Sequence, residues 1–221
     1  LYEVINNPEK PLAVIMGGAK VKDKIELLEN IIEKANILLI GGALSHPFLK
    51  SNGYNINSDF CDNESVKIAS RILNLAKDRN KHIELPIDLL TATSMDNIDS
   101  IEVKHIEDMK KGLNAYDIGP ETTLLFSQSL LNAKTILWNG PLGVNENPYF
   151  CTGTQHICKI MEELTANGVI SIIGGGDTAS AVQSFSRITK FTHVSTGGGA
   201  SLQLLSGAQL PALKALGYYE K

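Results

Sequence analysis

The sequence predicts an α/β fold: a three-layer, doubly wound domain built on a mainly parallel sheet of about six strands. Two observations predict it. Six short, almost wholly apolar runs lack the alternation of half-exposed strands, so both of their faces must be covered, as in a parallel sheet. Between them lie segments with apolar residues at helical spacing, and an alternating βαβα order places helices on both faces. A third observation concerns the strand ends. Three glycine-rich turns each follow an apolar run and open a helix-like segment, which is a Rossmann-like arrangement.

The first strand is read at Leu12–Met16, followed by Gly17-Gly18-Ala19-Lys20 and a helix whose apolar face is Ile25, Leu28, Ile31 and Ile32. The second strand is Ile37–Ile40, ending on Gly41-Gly42. Val66, Ala69, Ile72, Leu73 and Ala76 mark the next helix, and Ile83–Leu85 the third strand. Pro86–Lys111 is irregular and rich in Asp, Ser, Thr and Asn, so a loop or small β excursion is expected there. After Gly119-Pro120, Leu124, Leu125, Ser129 and Leu131 suggest the buried face of another helix. Three further strands are read at Thr135–Trp138, Val169–Ile173 and Phe191–Val194.

The 221 residues, 43% hydrophobic, suffice for one domain spanning 1–221 with a full core. A formal charge of -4 and a pI near 5.7 argue against a nucleic-acid or anionic-membrane surface, both of which need clustered Lys and Arg. No apolar run approaches the roughly 18 residues that a membrane span requires. Cys61, Cys151 and Cys158 form no CxxC pair and no zinc-ligand spacing, so reduced cytoplasm is the expected location. The cysteines and methionines are expected to fill core, and His46, His82, His105, His156 and His193 to be structural or surface residues. Because the chain opens on Leu1 and not Met, it is expected to be cut from a longer protein.

The turns carry the chemistry. A helix start exposes unpaired N–H groups and the positive end of the helix dipole, and glycine lets an anion approach the main chain. Lys20 and Lys24 lie one turn apart on one helix face, where two ammonium groups make sense chiefly around a multivalent anion. Asp177 and Thr178, after Gly174-Gly175-Gly176, put a carboxylate and a hydroxyl at a helix start. Asp177 reads either as a cap or as a magnesium ligand. Gly174–Ala179 also fits the dinucleotide pattern GxGxxA, but the ribose-binding acid expected about 20 residues later is missing, since no Asp or Glu lies between Asp177 and Glu220. No Gly-Lys dipeptide exists for a Walker motif. Trp138-Asn139-Gly140-Pro141-Leu142-Gly143-Val144 is a rigid turn suited to presenting backbone to a ligand, with Glu146 just beyond.

Four segments, Gly17–Lys24, Trp138–Val144, Gly174–Thr178 and Ser195–Ser201, together resemble phosphoglycerate kinase in content, order and spacing. The resemblance runs from near Pro11 to about Leu216 and corresponds to the C-terminal, nucleotide-binding half of that enzyme. It implies binding of Mg-ADP or Mg-ATP and phosphoryl transfer between 1,3-bisphosphoglycerate and ADP. The partner would be an absent N-terminal domain for 3-phosphoglycerate, the fragment would turn over little alone, and a monomer is the expected state.

By motif, the resemblance implies that Lys20 and Lys24 contact the phosphates, that Lys20 follows the transferring group, and that Asp177 binds Mg2+. It places Asp23, Asn139 and Thr178 around phosphates and metal, and Ala19, Gly140, Gly175 and Gly176 among the nucleotide-binding residues. Gly17, Gly18, Gly41, Gly42, Tyr116, Pro141 and Val144 would shape the adenosine pocket, with Glu146 on the ribose. The turn Gly197, Gly198 and Gly199 would offer N–H groups to the phosphoryl group in flight. Ala43, Ala115-Tyr116 and Asn145 depart from the family pattern, and an altered base contact is expected there. A non-catalytic adenine-nucleotide sensor is the alternative reading.

Overall fold

A computed structural model describes residues 7–19, 21–195, 197, 211–215 and 217, and of positions 21–23, 25, 26, 212 and 213 the backbone alone. The strands are β1 (Leu12–Met16), β2 (Ile37–Ile40), β3 (His82–Glu84), β4 (Asp88–Ala92), β5 (Glu102–His105), β6 (Asn114–Ile118), β7 (Thr135–Asn139), β8 (Ile170–Gly174) and β9 (His193–Ser195). The helices are α1 (Val21–Lys34), α2 (His46–Ser51), α3 (Asn63–Asp78), α4 (Pro120–Leu130), α5 (Thr152–Ala166), α6 (Gly176–Phe185) and α7 (Pro211–Ala215). Six strands form one parallel sheet in the order β3-β2-β1-β7-β8-β9. Three others, in the order β5-β4-β6, make a small antiparallel sheet.

Alternation along β1 explains why the apolar runs do not alternate with polar residues. Leu12, Val14 and Met16 pack with Leu28, Ile31 and Ile32 of α1 and with Ala69 and Ile72 of α3. Ala13 and Ile15 pack on the opposite face with Phe126 of α4, Ile157 and Met161 of α5 and Val182 of α6. Both faces are therefore covered, and each large side chain so buried contributes on the order of 2 kcal/mol. Asp62 starts α3 by accepting the N–H of Ser65 at 2.8 Å.

The irregular stretch after Pro86 is the expected β excursion, formed by β4 and β5 and closed by β6. It packs on a third apolar cluster containing Leu49, Ile56, Cys61, Leu89, Ile106 and Met109. Strand limits shift slightly from the sequence reading: β3 starts at His82, and Phe191 is buried ahead of β9 without joining it.

The face expected for α4 is right only in part, since Leu125 does pack against the core. Leu124 and Leu131 are 59% and 62% exposed, and the helix buries Thr122, Thr123, Phe126, Ser127 and Leu130. The hydroxyls make this possible because each is satisfied locally. Thr122 Oγ1 donates to Asp88 Oδ1 at 2.6 Å, Thr123 Oγ1 to Gly119 O at 2.8 Å, and Ser127 Oγ to Thr123 O at 2.7 Å.

All three cysteines are buried and unbridged, as expected of core residues. Met16, Met109 and Met161 are likewise buried, but Met95 is exposed and stands at the mouth of a cleft.

Candidate functional site

The chain order reverses at β1, which has β2 on one side and β7 on the other. Loops leaving the carboxyl ends of such a pair run in opposite directions, and the gap they leave is where ligands bind in open α/β sheets. Here the two turns are locked together. Gly17 N–H donates to Asn139 O at 2.9 Å and Gly18 N–H to Pro141 O at 2.7 Å. The next turns are tied on in sequence. Gly140 N–H donates to Thr178 Oγ1 at 2.7 Å, Asn139 Nδ2 to Gly174 O at 2.7 Å, and Gly175 N–H to Ser195 O at 3.1 Å. The strand ends of β1, β7, β8 and β9 thus share one bonded rim.

A cleft of about 560 Å3 opens over this rim toward the small sheet. Of the residues singled out in the sequence, Gly18, Ala19, Gly42 and Pro141 line it together with Tyr116, Val144, Glu146 and Asp177. Others stand behind the wall. Gly17 and Gly41 are buried, and Asn139 and Thr178 spend polar atoms on joining the turns. Lys24 is only 7% exposed, and its ammonium reaches back to Gly17 O at 2.5 Å. Gly140 and Gly175 are buried in the rim and Gly176 is exposed beside Asp177. Gly197 is exposed, its N–H 3.2 Å from Ser195 Oγ. Lys20, Gly198 and Gly199 lie outside the described residues, as does the side chain of Asp23.

The cap reading of Asp177 fails on geometry. Gly175, with φ 97, is the cap residue of α6, and there is no side-chain cap bond there. The Asp177 carboxylate is exposed on the cleft, and no hydrogen bond or ion pair holds it among the described residues. It is therefore available to a ligand. No group of three or more His, Cys, Asp or Glu side chains suited to a metal occurs among the described residues.

Several cleft residues were missed in the sequence. Phe60 and Met95 are 39% and 44% exposed at its outer wall, and Asn114 holds that wall by accepting Asn57 Nδ2 at 2.9 Å while donating to Thr93 O at 3.0 Å. Ala43 and Ala115 join Tyr116 on the lining, so three of the four departures from the family pattern lie on this cleft. Only the fact that loops end near one another after folding reveals these positions. No local motif marks them.

Two buried titratable groups face the cleft. Burial lowers His46 to about 4, and its Nδ1 lies 2.8 Å from Ser58 Oγ. Burial likewise raises Asp117 to about 7, against the opposing pull of backbone N–H groups from Gly153, Ile118 and Thr152. The signs differ. A histidine with a depressed pKa stabilises the fold above its ordinary value and loses that contribution as pH falls toward 4. The raised carboxyl contributes below its ordinary value and loses it as pH climbs through about 7. Replacing His46 by Gln should therefore flatten the acid limb of Tm against pH between about 6.5 and 4. The upper bound is about 3 kcal/mol, and parallel thermal scans of both proteins check it.

Comparisons with known proteins agree with this geometry. The family model described as phosphoglycerate kinase matches residues 1–208. The phosphoglycerate kinase of Thermosipho africanus (strain TCF52B) is 44% identical over 225 aligned positions, covering 100% of this chain and 55% of that protein. That of Chloroflexus aurantiacus (strain ATCC 29366 / DSM 635 / J-10-fl) is 40% identical over 96% of this chain and 53% of its own length. Among solved structures, phosphoglycerate kinase from Coxiella burnetii superposes with a TM-score of 0.91 at 37% identity, over 99% of this chain and 56% of that one. The enzyme from Pyrococcus horikoshii OT3 gives 0.81 at 26% identity, over 97% of this chain and 54% of that one. The chain spans about half the length of the curated relatives it matches. With a family match over nearly all of its residues and the same doubly wound fold, this chain belongs to the phosphoglycerate kinase family.

Proposed function

We propose that this chain is the nucleotide-binding half of a phosphoglycerate kinase, with 1–221 as one domain. It takes Mg-ADP or Mg-ATP for reversible phosphoryl transfer between 1,3-bisphosphoglycerate and ADP. The observation that carries this reading is the convergence of the glycine turns after β1, β7 and β8 at the switch point, under a cleft with the Asp177 carboxylate on its wall. Glycine-lined strand ends admit phosphate to the main chain, and a carboxylate that no hydrogen bond or ion pair holds among the described residues suits a hard cation.

Magnesium ordinarily takes one or two carboxylates and leaves its other positions to phosphate oxygens and water, so the one carboxylate of Asp177 suffices for it. When bound, the ion neutralises charge on the phosphates. The chain's own residues position the rest. Gly18, Gly42, Tyr116, Val144 and Pro141 receive the nucleoside, and Glu146 accepts the ribose hydroxyls. Lys20 follows the transferring phosphoryl group, and the N–H groups of Gly197, Gly198 and Gly199 stabilise charge on it. Lys24 acts from behind, holding the Gly17 turn in place through its carbonyl.

The other half of the intact enzyme would hold the phosphoglycerate, and the transfer requires both substrates in line. This chain alone is expected to bind nucleotide with negligible turnover, as a monomer. No described helix is long and apolar enough to cross a membrane. Three buried, unpaired thiols fit a reducing cytosol.

Calorimetry should show Mg-ADP binding below about 1 mM. Absence of heat at that level would overturn the reading. Joining the missing half in trans should restore transfer from 1,3-bisphosphoglycerate. Binding without any such restoration would instead favour a nucleotide sensor.

A further inference from the structure

Asp117 is a buried carboxyl that the proposed chemistry does not use. It sits near the end of β6, 3% exposed, on the floor of the cleft. Its Oδ1 accepts the N–H of Ile118 and its Oδ2 the N–H of Gly153, each at 2.9 Å. Gly153 lies in the first turn of α5, a helix whose own cap residue, Cys151, provides no side-chain bond. Asp117 supplies the missing acceptor from another element, and a negative charge at that helix start is electrostatically favourable.

The same carboxylate touches the other end of the loop. A Cβ on Gly143 would lie 2.3 Å from Asp117 Oδ1, and one on Gly153 would lie 2.7 Å from it. Beside it, Val144 N–H donates to Tyr116 O at 3.0 Å, and the ring of Tyr116 packs on Phe150 at 4.8 Å. Residues 143–153, which bring Val144 and Glu146 to the cleft, are thus fastened to two consecutive residues of β6.

We propose that Asp117 is a positioning residue for the nucleoside end of the cleft, its carboxylate fixing the Gly143–Gly153 loop so that Val144 and Glu146 meet base and ribose. The inference rests on reading this cleft as the nucleotide site. It has a regulatory corollary, because burial brings the Asp117 carboxyl to about 7. Protonation removes one acceptor from the loop anchor, so the nucleoside site tightens as pH rises through neutrality.

The other titratable groups around it are identifiable. Cys151 stands at the same helix end, its thiol pushed up by burial and by Asp117 itself. Tyr116 precedes Asp117 on β6, Glu146 and Tyr149 lie on the loop, and His46, Asp59 and Asp177 share the cleft wall. On β4 the residue opposite is the apolar Leu90.

The test separates nucleoside from phosphate. Asp117→Asn should bind ADP about 10-fold more weakly than wild type and inorganic tripolyphosphate equally well. Equal weakening of both ligands, or no change for ADP, overturns the proposal. Wild type binding neither ligand would instead sink the nucleotide reading, and with it this inference. If circular dichroism shows that Asp117→Asn does not fold, wild-type affinity for adenosine, which has no titrating phosphate, decides the matter. It should rise several-fold between about pH 5.5 and about pH 8.5 with an inflection near the raised carboxyl value, and a flat profile overturns the proposal.

Discussion

Asp177→Ala should lower affinity for Mg-ADP by about 10- to 100-fold, or about 1.4 to 2.8 kcal/mol, while metal-free ADP binds nearly as before. The asymmetry is the point. Asp177 stands exposed on the cleft wall and is not spent on capping α6. Removing it should therefore cost little stability, and the loss should fall on whichever ligand the carboxylate met. Metal-free ADP, carrying the full negative charge of its phosphates, is repelled by a nearby carboxylate and could even gain slightly. Titration calorimetry with and without a chelator makes the comparison. Equal weakening of both forms would remove the metal role from Asp177 and leave the phosphate site without its cation partner.

Gly140→Ala should lower Tm by about 10 °C and abolish nucleotide binding. At Gly140, with φ 91, a Cβ would meet Gly17 O at 2.1 Å and the Lys24 ammonium at 2.5 Å. A non-glycine residue at such a φ costs about 1 to 2 kcal/mol, and overpacking adds about 1 to 3. For a chain of this size each kcal/mol moves Tm by roughly 2 to 4 °C. The control is Gly168→Ala. Gly168 has a similar φ of 94, but nothing lies within 4 Å of its added Cβ. It should show the conformational cost alone. The difference between the two variants measures how closely the turns after β1 and β7 press together, and equal Tm losses would mean that the close approach has no energetic weight.

The parts of this protein legible in its sequence are those set by local chemistry. A short unbroken apolar run such as Leu12–Met16, bounded by Pro11 and Gly17, reads as a strand covered on both faces, and β1 is so covered. The glycine-rich turns mark strand ends because few other residues allow such backbones. The face of α4 is legible only in part: Leu125 packs on the core, but Leu124 is exposed while Phe126 and Leu130 are buried beside Thr122 and Ser127, whose hydroxyls are satisfied. Composition along a helix does not state which polar groups will find partners. Helical spacing puts Lys24 on one face with Lys20, and only the folded chain shows that its ammonium also reaches the carbonyl of Gly17 in the turn before it.

By its own order of residues the chain determined the strands, the alternation of layers, the glycine turns and the acid at position 177, since each depends on neighbours within a few positions. Only the tertiary structure decided that Phe60, Met95, Asn114 and Asp117 share a cleft with Asp177. These residues come from separate loops and strands. The register of β4 with β6 and the crossing of the chain at β1 and β7 bring them together. Such proximity is set by how the packed layers are connected, and no stretch of sequence contains it.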